Sequence, residues 1–198
     1  MSEPESPHVV IVHGWTGSGP GHWQSLAAVE LANEGFSVDV PQFTDPDKPV
    51  LDVWLDELRE HLEAAPSDVE RIVRAHSAGA LLWLHHASHA VPAGLRVNRV
   101  LLVAPPGPDW HEPEVTGFQP TPLDPAGLRR AAGLTRMVIS DDDPCGTVTQ
   151  GRQLAGTLGV DLDVIPGGAH LNTEAGYGRW PSVLDWVRDP TVHLIANA

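Results

Sequence analysis

The stretch "ERIVRAHSAGALLWLHHASHA" (70–90) carries the decisive pattern. Residues 70–75 form a short apolar, β-branched run, and 78–90 form an apolar segment of helical length. Only a tight corner of small and polar residues separates them. A strand that feeds straight into a helix apolar all round predicts a buried βα unit, the repeating piece of a parallel sheet.

The same alternation recurs on both sides of that stretch. Strand-like runs at 8–13 ("HVVIVH"), 36–40, 97–105 ("VNRVLLVAP"), 136–140 and 160–165 join 70–75. Helices are expected at 22–34, 49–65, 78–90, 147–159 and 179–189. In 49–65, Val50, Val53, Trp54, Leu58 and Leu62 recur at three- and four-residue spacing with carboxylates between, the mark of an amphipathic helix. Six strands interleaved with helices predict a doubly wound, mostly parallel α/β sheet. The alternation breaks at 105–125, where seven prolines disfavour a long helix because proline fixes φ and lacks a donor N–H. No repeat or linker divides the chain, so 1–198 read as a single domain.

Composition narrows the function classes. A net charge of −14 argues against a nucleic-acid surface and against anionic membranes, both of which select clustered Lys and Arg. No apolar run approaches the ~20 residues of a membrane span. The opening "MSEPESPHVV" lacks the basic and apolar regions of a secretion signal, and a cytoplasmic location is expected. A lone cysteine, Cys145, excludes an internal disulfide and fits a reducing compartment.

In open α/β sheets, chemistry gathers on loops beyond the carboxyl ends of the strands. Four such loops here carry suggestive residues: "HGWTGSGPGHW" (13–23), the corner at Ser77, "SDDDP" (140–144) and "GGAHLN" (167–172). A serine at such a corner can be a simple N-cap, an aspartate can cap a helix, and a histidine in a Gly-rich loop can be solvated. Ser, Asp and His at three strand ends, in that chain order, instead match a nucleophile, its orienting acid and its base. Ser77 would attack, His170 would take its proton, and one of Asp141, Asp142 or Asp143 would hold the imidazole. The corner aims the N–H of Ala78 at a developing oxyanion, and Trp15 or Thr16 in the Gly14 loop supplies a second donor. His13 is read as a brace for that loop.

"HGWTGSGPGHWQ", "AHSAGA", "SDDDPCGTV" and "GGAHLNTEAGYGRWP" together resemble the small serine hydrolases related to retinoblastoma-binding protein 9 and the bacterial YdeN-like proteins. The resemblance spans essentially the whole chain. It implies a minimal α/β-hydrolase fold without a large cap domain, and a reaction on a small ester, thioester or amide through an acyl-enzyme. In the family's acid motif the aspartate directly precedes proline, which implies Asp143; Ser77 and His170 take the other two roles. The 105–125 segment would lie beside the site as a short flap. Trp110 and Phe118 on it, together with His13, Gly14, Trp15 and Trp23, are candidate pocket residues, whereas Trp54, Trp83 and Trp186 are assigned to the core. Ala75 and Ala169 stand where the family pattern has glycine; Ala75 is expected to be tolerated, and Ala169 matters only if its φ is positive.

Three other classes were weighed on the same residues. A protein-binding or scaffold module retaining the fold has no need of the Ser–Asp–His set. A metal enzyme could draw on His85, His86 and His89, but no H-E-x-x-H pattern accompanies them. The glycines at 14, 17, 19 and 21 lack the G-x-G-x-x-G spacing of a dinucleotide site. The expected partner is therefore a small acyl substrate, with no cofactor and no metal.

Overall fold

The computed structural model of the protein describes residues 6–197. Residues 1–5, half of the opening stretch read above as lacking a leader, lie outside them. Six strands form one sheet: β1 (His8–Val12), β2 (Ser37–Asp39), β3 (Arg71–His76), β4 (Val97–Val103), β5 (Ala132–Ser140) and β6 (Asp161–Ile165). Their spatial order is β2-β1-β3-β4-β5-β6, and every neighbouring pair is parallel. Six helices connect and cover them: α1 (Trp23–Asn33), α2 (Leu51–Ala64), α3 (Ala78–Ser88), α4 (Pro125–Ala131), α5 (Val148–Leu158) and α6 (Pro181–Arg188).

The period-two alternation of the strands splits the core into two layers. Val10 and Val12 of β1, Val73 and Ala75 of β3, and Met137 and Ile139 of β5 pack with α2, α3, α4 and α5. Val9, Ile11, Ile72 and Val138 face the other way, toward α1 and α6. Trp54, Trp83 and Trp186 are fully buried, as expected of core residues. Because β1 and β3 are adjacent while their connections leave in opposite directions along the sheet, the loops after them flank the crevice where such folds bind ligands.

Two features depart from the sequence reading. β5 starts at Ala132 rather than 136, and it follows α4, a helix the proline run concealed. Pro125 occupies the first turn of α4, where its missing N–H costs nothing, and Asp124 Oδ1 caps the Gly127 N–H at 2.8 Å. Within 105–125 the backbone is irregular but tied down. Thr116 N–H donates to Pro49 O at 3.1 Å, and Gln119 Nε2 donates to Gly107 O at 2.9 Å. Phe118 is 1% exposed and sits edge-to-face on Trp54, 5.6 Å between centroids. It anchors the segment into the core, a burial that contributes roughly 2 kcal/mol, and at that burial it is not a pocket wall.

Candidate active site

The corner between β3 and α3 places Ser77 at φ 55°, ψ −126°, a region costing on the order of 1–3 kcal/mol for a residue with a side chain. The surrounding backbone over-determines it. Ser77 N–H donates to Val103 O at 2.9 Å, fastening the corner to the end of β4. A Cβ on Gly79 would lie 2.4 Å from His13 O, and one on Gly14 would lie 2.9 Å from Ser77 Cβ. Only glycine at both positions lets the loop after β1 press against the start of α3. Ala75, by contrast, has no positive φ and buries its methyl group in the core, so alanine is accommodated there.

Ser77 occupies the N-cap position of α3 but makes no capping hydrogen bond. Its Oγ lies 2.8 Å from His170 Nε2, and His170 Nδ1 lies 2.9 Å from each carboxylate oxygen of Asp143. A carboxylate can only accept, so in the neutral ring Nδ1 carries the proton and Nε2 presents its lone pair to the serine. Burial pulls the His170 pKa down, but the hydrogen bond to Asp143 and its charge, with the neighbouring Cys145 adding to them, outweigh it, and the pKa is pushed up to about 9.

The other two aspartates were candidates for the same role or for capping the helix after them. They do neither. α5 is capped by Thr147 and Gln150 in a reciprocal box. Asp141 Oδ1 accepts from Gly167 N–H at 2.8 Å, and Asp142 Oδ1 accepts from Ala169 N–H at 2.7 Å and from the Ser140 hydroxyl. All three carboxylates of "DDD" therefore hold the histidine loop: two by its backbone, the third by its ring. Ala169 and Leu171, the residues flanking His170, sit at φ 42° and 49°, and these anchors help keep the loop in that strained turn.

A second layer behind the ring was not read from the sequence. His76 Nε2 donates to His170 O at 3.0 Å, and Trp23 Nε1 donates to Leu171 O at 2.9 Å. Trp23 is 1% exposed, so it supports the loop from the core and is not a pocket wall. Burial, reinforced by the neighbouring His170 and His22, pushes His76 well below the usual imidazole range, and it stays neutral. The one sequence signal for His76 was its place on the last residue of β3, next to the corner.

Of the remaining candidates, Trp15 and Trp110 are half-buried and meet edge-to-face at 6.4 Å, with Trp15 Nε1 donating to Asp47 O at 3.0 Å. His13 is buried between Phe43 and Trp54 and donates through Nδ1 to Gly14 O at 2.8 Å. It braces the loop. Thr16 N–H is taken by Pro46 O at 2.8 Å, whereas the N–H groups of Trp15 and Ala78 have no hydrogen-bond partner among the described residues. His85 Nε2 and His89 Nδ1 are engaged by Phe118 O and His85 O. A cavity of about 430 Å³ opens under Pro105, Pro106, Pro120, Leu123 and Leu154 and reaches Asp143, but neither Ser77 nor His170 lines it.

A parallel sheet of this order, with a strained serine at one βα corner and a His–Asp pair on two later strand ends, defines a small α/β hydrolase without a large cap domain. The chain belongs to the serine hydrolase family, whose sequence profile matches residues 9–189. Within that family it is YdeN-like: it is 22% identical to YdeN of Bacillus subtilis over 178 residues, covering 89% of this chain and 92% of that protein. The crystal structure of the B. subtilis ydeN gene product superposes with a TM-score of 0.79 at 22% identity, over 92% of this chain and 97% of that one. A YdeN-like hydrolase from Pectobacterium atrosepticum gives 0.67 at 23% identity, over 92% and 89%. A Xanthomonas campestris α/β serine hydrolase described as lacking a lid gives 0.61 at 18% identity, over 87% and 76%.

Proposed function

We propose that this serine hydrolase cleaves a small carboxylic ester, thioester or amide through an acyl-enzyme on Ser77, with His170 as general base and Asp143 as its orienting acid. The observation that carries this reading is the unbroken chain Ser77 Oγ–His170 Nε2 at 2.8 Å and His170 Nδ1–Asp143 at 2.9 Å, built on a serine held at φ 55°. A serine hydroxyl is a weak nucleophile until an adjacent base takes its proton. In this scheme His170 accepts that proton as Oγ adds to the substrate carbonyl, then delivers it to the leaving alcohol, thiol or amine. Water follows the reverse route: His170 deprotonates it, it adds to the acyl carbon, and Ser77 leaves with its proton restored.

The tetrahedral oxyanion needs donors already aimed at it, because such preorganised dipoles need no reorganisation during the reaction. The free N–H groups of Ala78 and Trp15 fit that role; Thr16, whose N–H is taken by Pro46, does not. Asp143 would stabilise the imidazolium formed in each half-reaction. The half-buried Trp15 and Trp110 would wall the cleft in which the acyl or leaving group lies.

Labelling of the folded protein by a fluorophosphonate probe tests the reading. Covalent modification should map to Ser77 and vanish in Ser77→Ala, and a folded wild-type chain that never labels would overturn it. A panel of chromogenic esters from acetyl to decanoyl, run beside amino-acid amides, would then identify the acyl group.

A further inference from the structure

Cys145 plays no part in the scheme above, yet it stands beside the two groups that orient the base. Its Sγ, a carboxylate oxygen of Asp143 and a ring nitrogen of His170 all lie within 4.8 Å of one another, each residue partly buried. The nitrogen on that side is Nδ1, since Nε2 faces Ser77. The trio is held in place before any ligand arrives. Cys145 N–H donates to Asp143 Oδ1 at 2.8 Å, and Cys145 O accepts from Gly107 N–H at 2.9 Å. The histidine loop is fixed separately by Asp141 and Asp142.

One thiol, one imidazole and one carboxylate form the three-ligand set that zinc-class ions take up in tetrahedral sites with an open fourth position. Zinc–ligand lengths place donor atoms around such an ion roughly 3.3–3.8 Å apart, so the trio needs only a small adjustment to close on one. A thiolate also selects against the hard ions magnesium and calcium. Sequence spacing could not reveal the site, because His170 arrives on the loop after a different strand from Asp143 and Cys145.

We propose that Asp143, Cys145 and His170 form an inhibitory site for a soft divalent cation of the zinc class, which switches off Ser77 by occupying Nδ1. The cation takes the Nδ1 lone pair, so the ring proton moves to Nε2, and the Cys145 thiol releases its proton to solvent. From the neutral ring one proton leaves per ion bound, and from the protonated ring two. Nε2–H then donates to Ser77 Oγ instead of accepting from it, and the base is lost while the fold is unchanged. Binding stands on the donor set alone; the inhibitory consequence rests on the serine-hydrolase reading.

The experiment uses the full chain stripped with a chelator and titrated with cobalt chloride and, separately, zinc chloride. A single cobalt ion should bind with a thiolate-to-metal charge-transfer band in the near ultraviolet. Saturating zinc should slow fluorophosphonate labelling at least tenfold, and EDTA should restore it. Cys145→Ser and Cys145→Ala, each compared with its own metal-free labelling rate and confirmed folded by thermal melting, should lose the band. They should also raise the zinc concentration for half-inhibition by about 100-fold. Binding without the band, or inhibition unchanged in both variants, would overturn the site. A metal-free chain that binds cobalt with the band but never labels would leave the site standing and remove the hydrolase reading instead.

Discussion

The two halves of the candidate site are built from different materials. The elbow half, Gly14, Ser77, Ala78 and Gly79, is a matter of backbone: a strained φ/ψ and two glycines whose missing Cβ atoms let β1 and α3 meet. The acid–base half, on the loops after β5 and β6, is held by side chains, with three consecutive aspartates gripping the segment 167–170. Backbone constraints leave little room to drift, whereas a loop held by hydrogen bonds can lose its parts one at a time. Changes at Gly14, Ser77 and Gly79 should therefore act all-or-none, and changes in the acid–base half should be graded.

The largest effect belongs to the elbow. Ser77→Ala should lower kcat/KM against an activated ester by on the order of 10⁶-fold, because the remaining groups have no nucleophile to serve. Circular dichroism should show the fold retained. A residual rate within two orders of magnitude of wild type would mean that the covalent step lies elsewhere.

The acid–base half then sets a graded series. Asp143→Asn should cost about 10⁴-fold, since an amide facing Nδ1 no longer fixes the tautomer that presents a lone pair to Ser77. Asp142→Ala frees the Ala169 N–H and loosens the loop without touching the ring. Its cost should be smaller, up to about 10²-fold, as expected when a catalytic group is misplaced by a fraction of an ångström to an ångström. Equal losses in the two variants would break the distinction between orienting the ring and orienting its loop.

Acid–base behaviour sharpens the same half. With His170 pushed up to about 9, the ring is largely protonated at neutral pH and cannot accept the serine proton. The sign is fixed by the chemistry: the reactive form is neutral, so kcat/KM should climb as pH rises toward and through about 9. Burial favours the neutral ring, and the hydrogen bond and charge of Asp143, with the neighbouring Cys145, overcome it. Cys145→Ser removes one of these two contributors, and the limb of the pH–rate profile should move to lower pH. A limb that stays in place would show that Asp143 alone sets it.

How much of this was legible in the sequence follows from where each constraint originates. The elbow reads directly, because strand, corner and helix are contiguous and the small residues at the corner are visible as such. Asp143 was singled out only through the family resemblance, whose acid motif sets the aspartate before a proline; the partners of Asp141 and Asp142 lie on the loop after β6, and no local pattern announces them. Phe118 was read as a pocket wall because the proline-rich segment was expected to lie beside the site as a flap. Its ring instead fills the space beside Trp54, a packing decision made by α2 and invisible in the segment itself. Trp23 was misplaced for the same reason: a Gly-rich loop precedes it, but α1 turns its ring inward to hold Leu171 O.

The smallest effects come from the two alanines, one in each half, and they set the comparison most sharply. Ala75 has an ordinary strand backbone and a buried methyl group, so Ala75→Gly removes packing and adds freedom to the unfolded chain. It should destabilise by about 1 kcal/mol and change kcat/KM by less than tenfold. Ala169 sits at φ 42°, where glycine relieves steric cost. That relief, roughly 1–2 kcal/mol, exceeds the roughly 0.4–1 kcal/mol of added unfolded-state entropy, so Ala169→Gly should raise the melting temperature by a few degrees. The same exchange should therefore move stability in opposite directions in the two halves. If both variants were destabilised equally, the strain at the histidine loop would be carried by Leu171, and Ala169 would be a bystander in it.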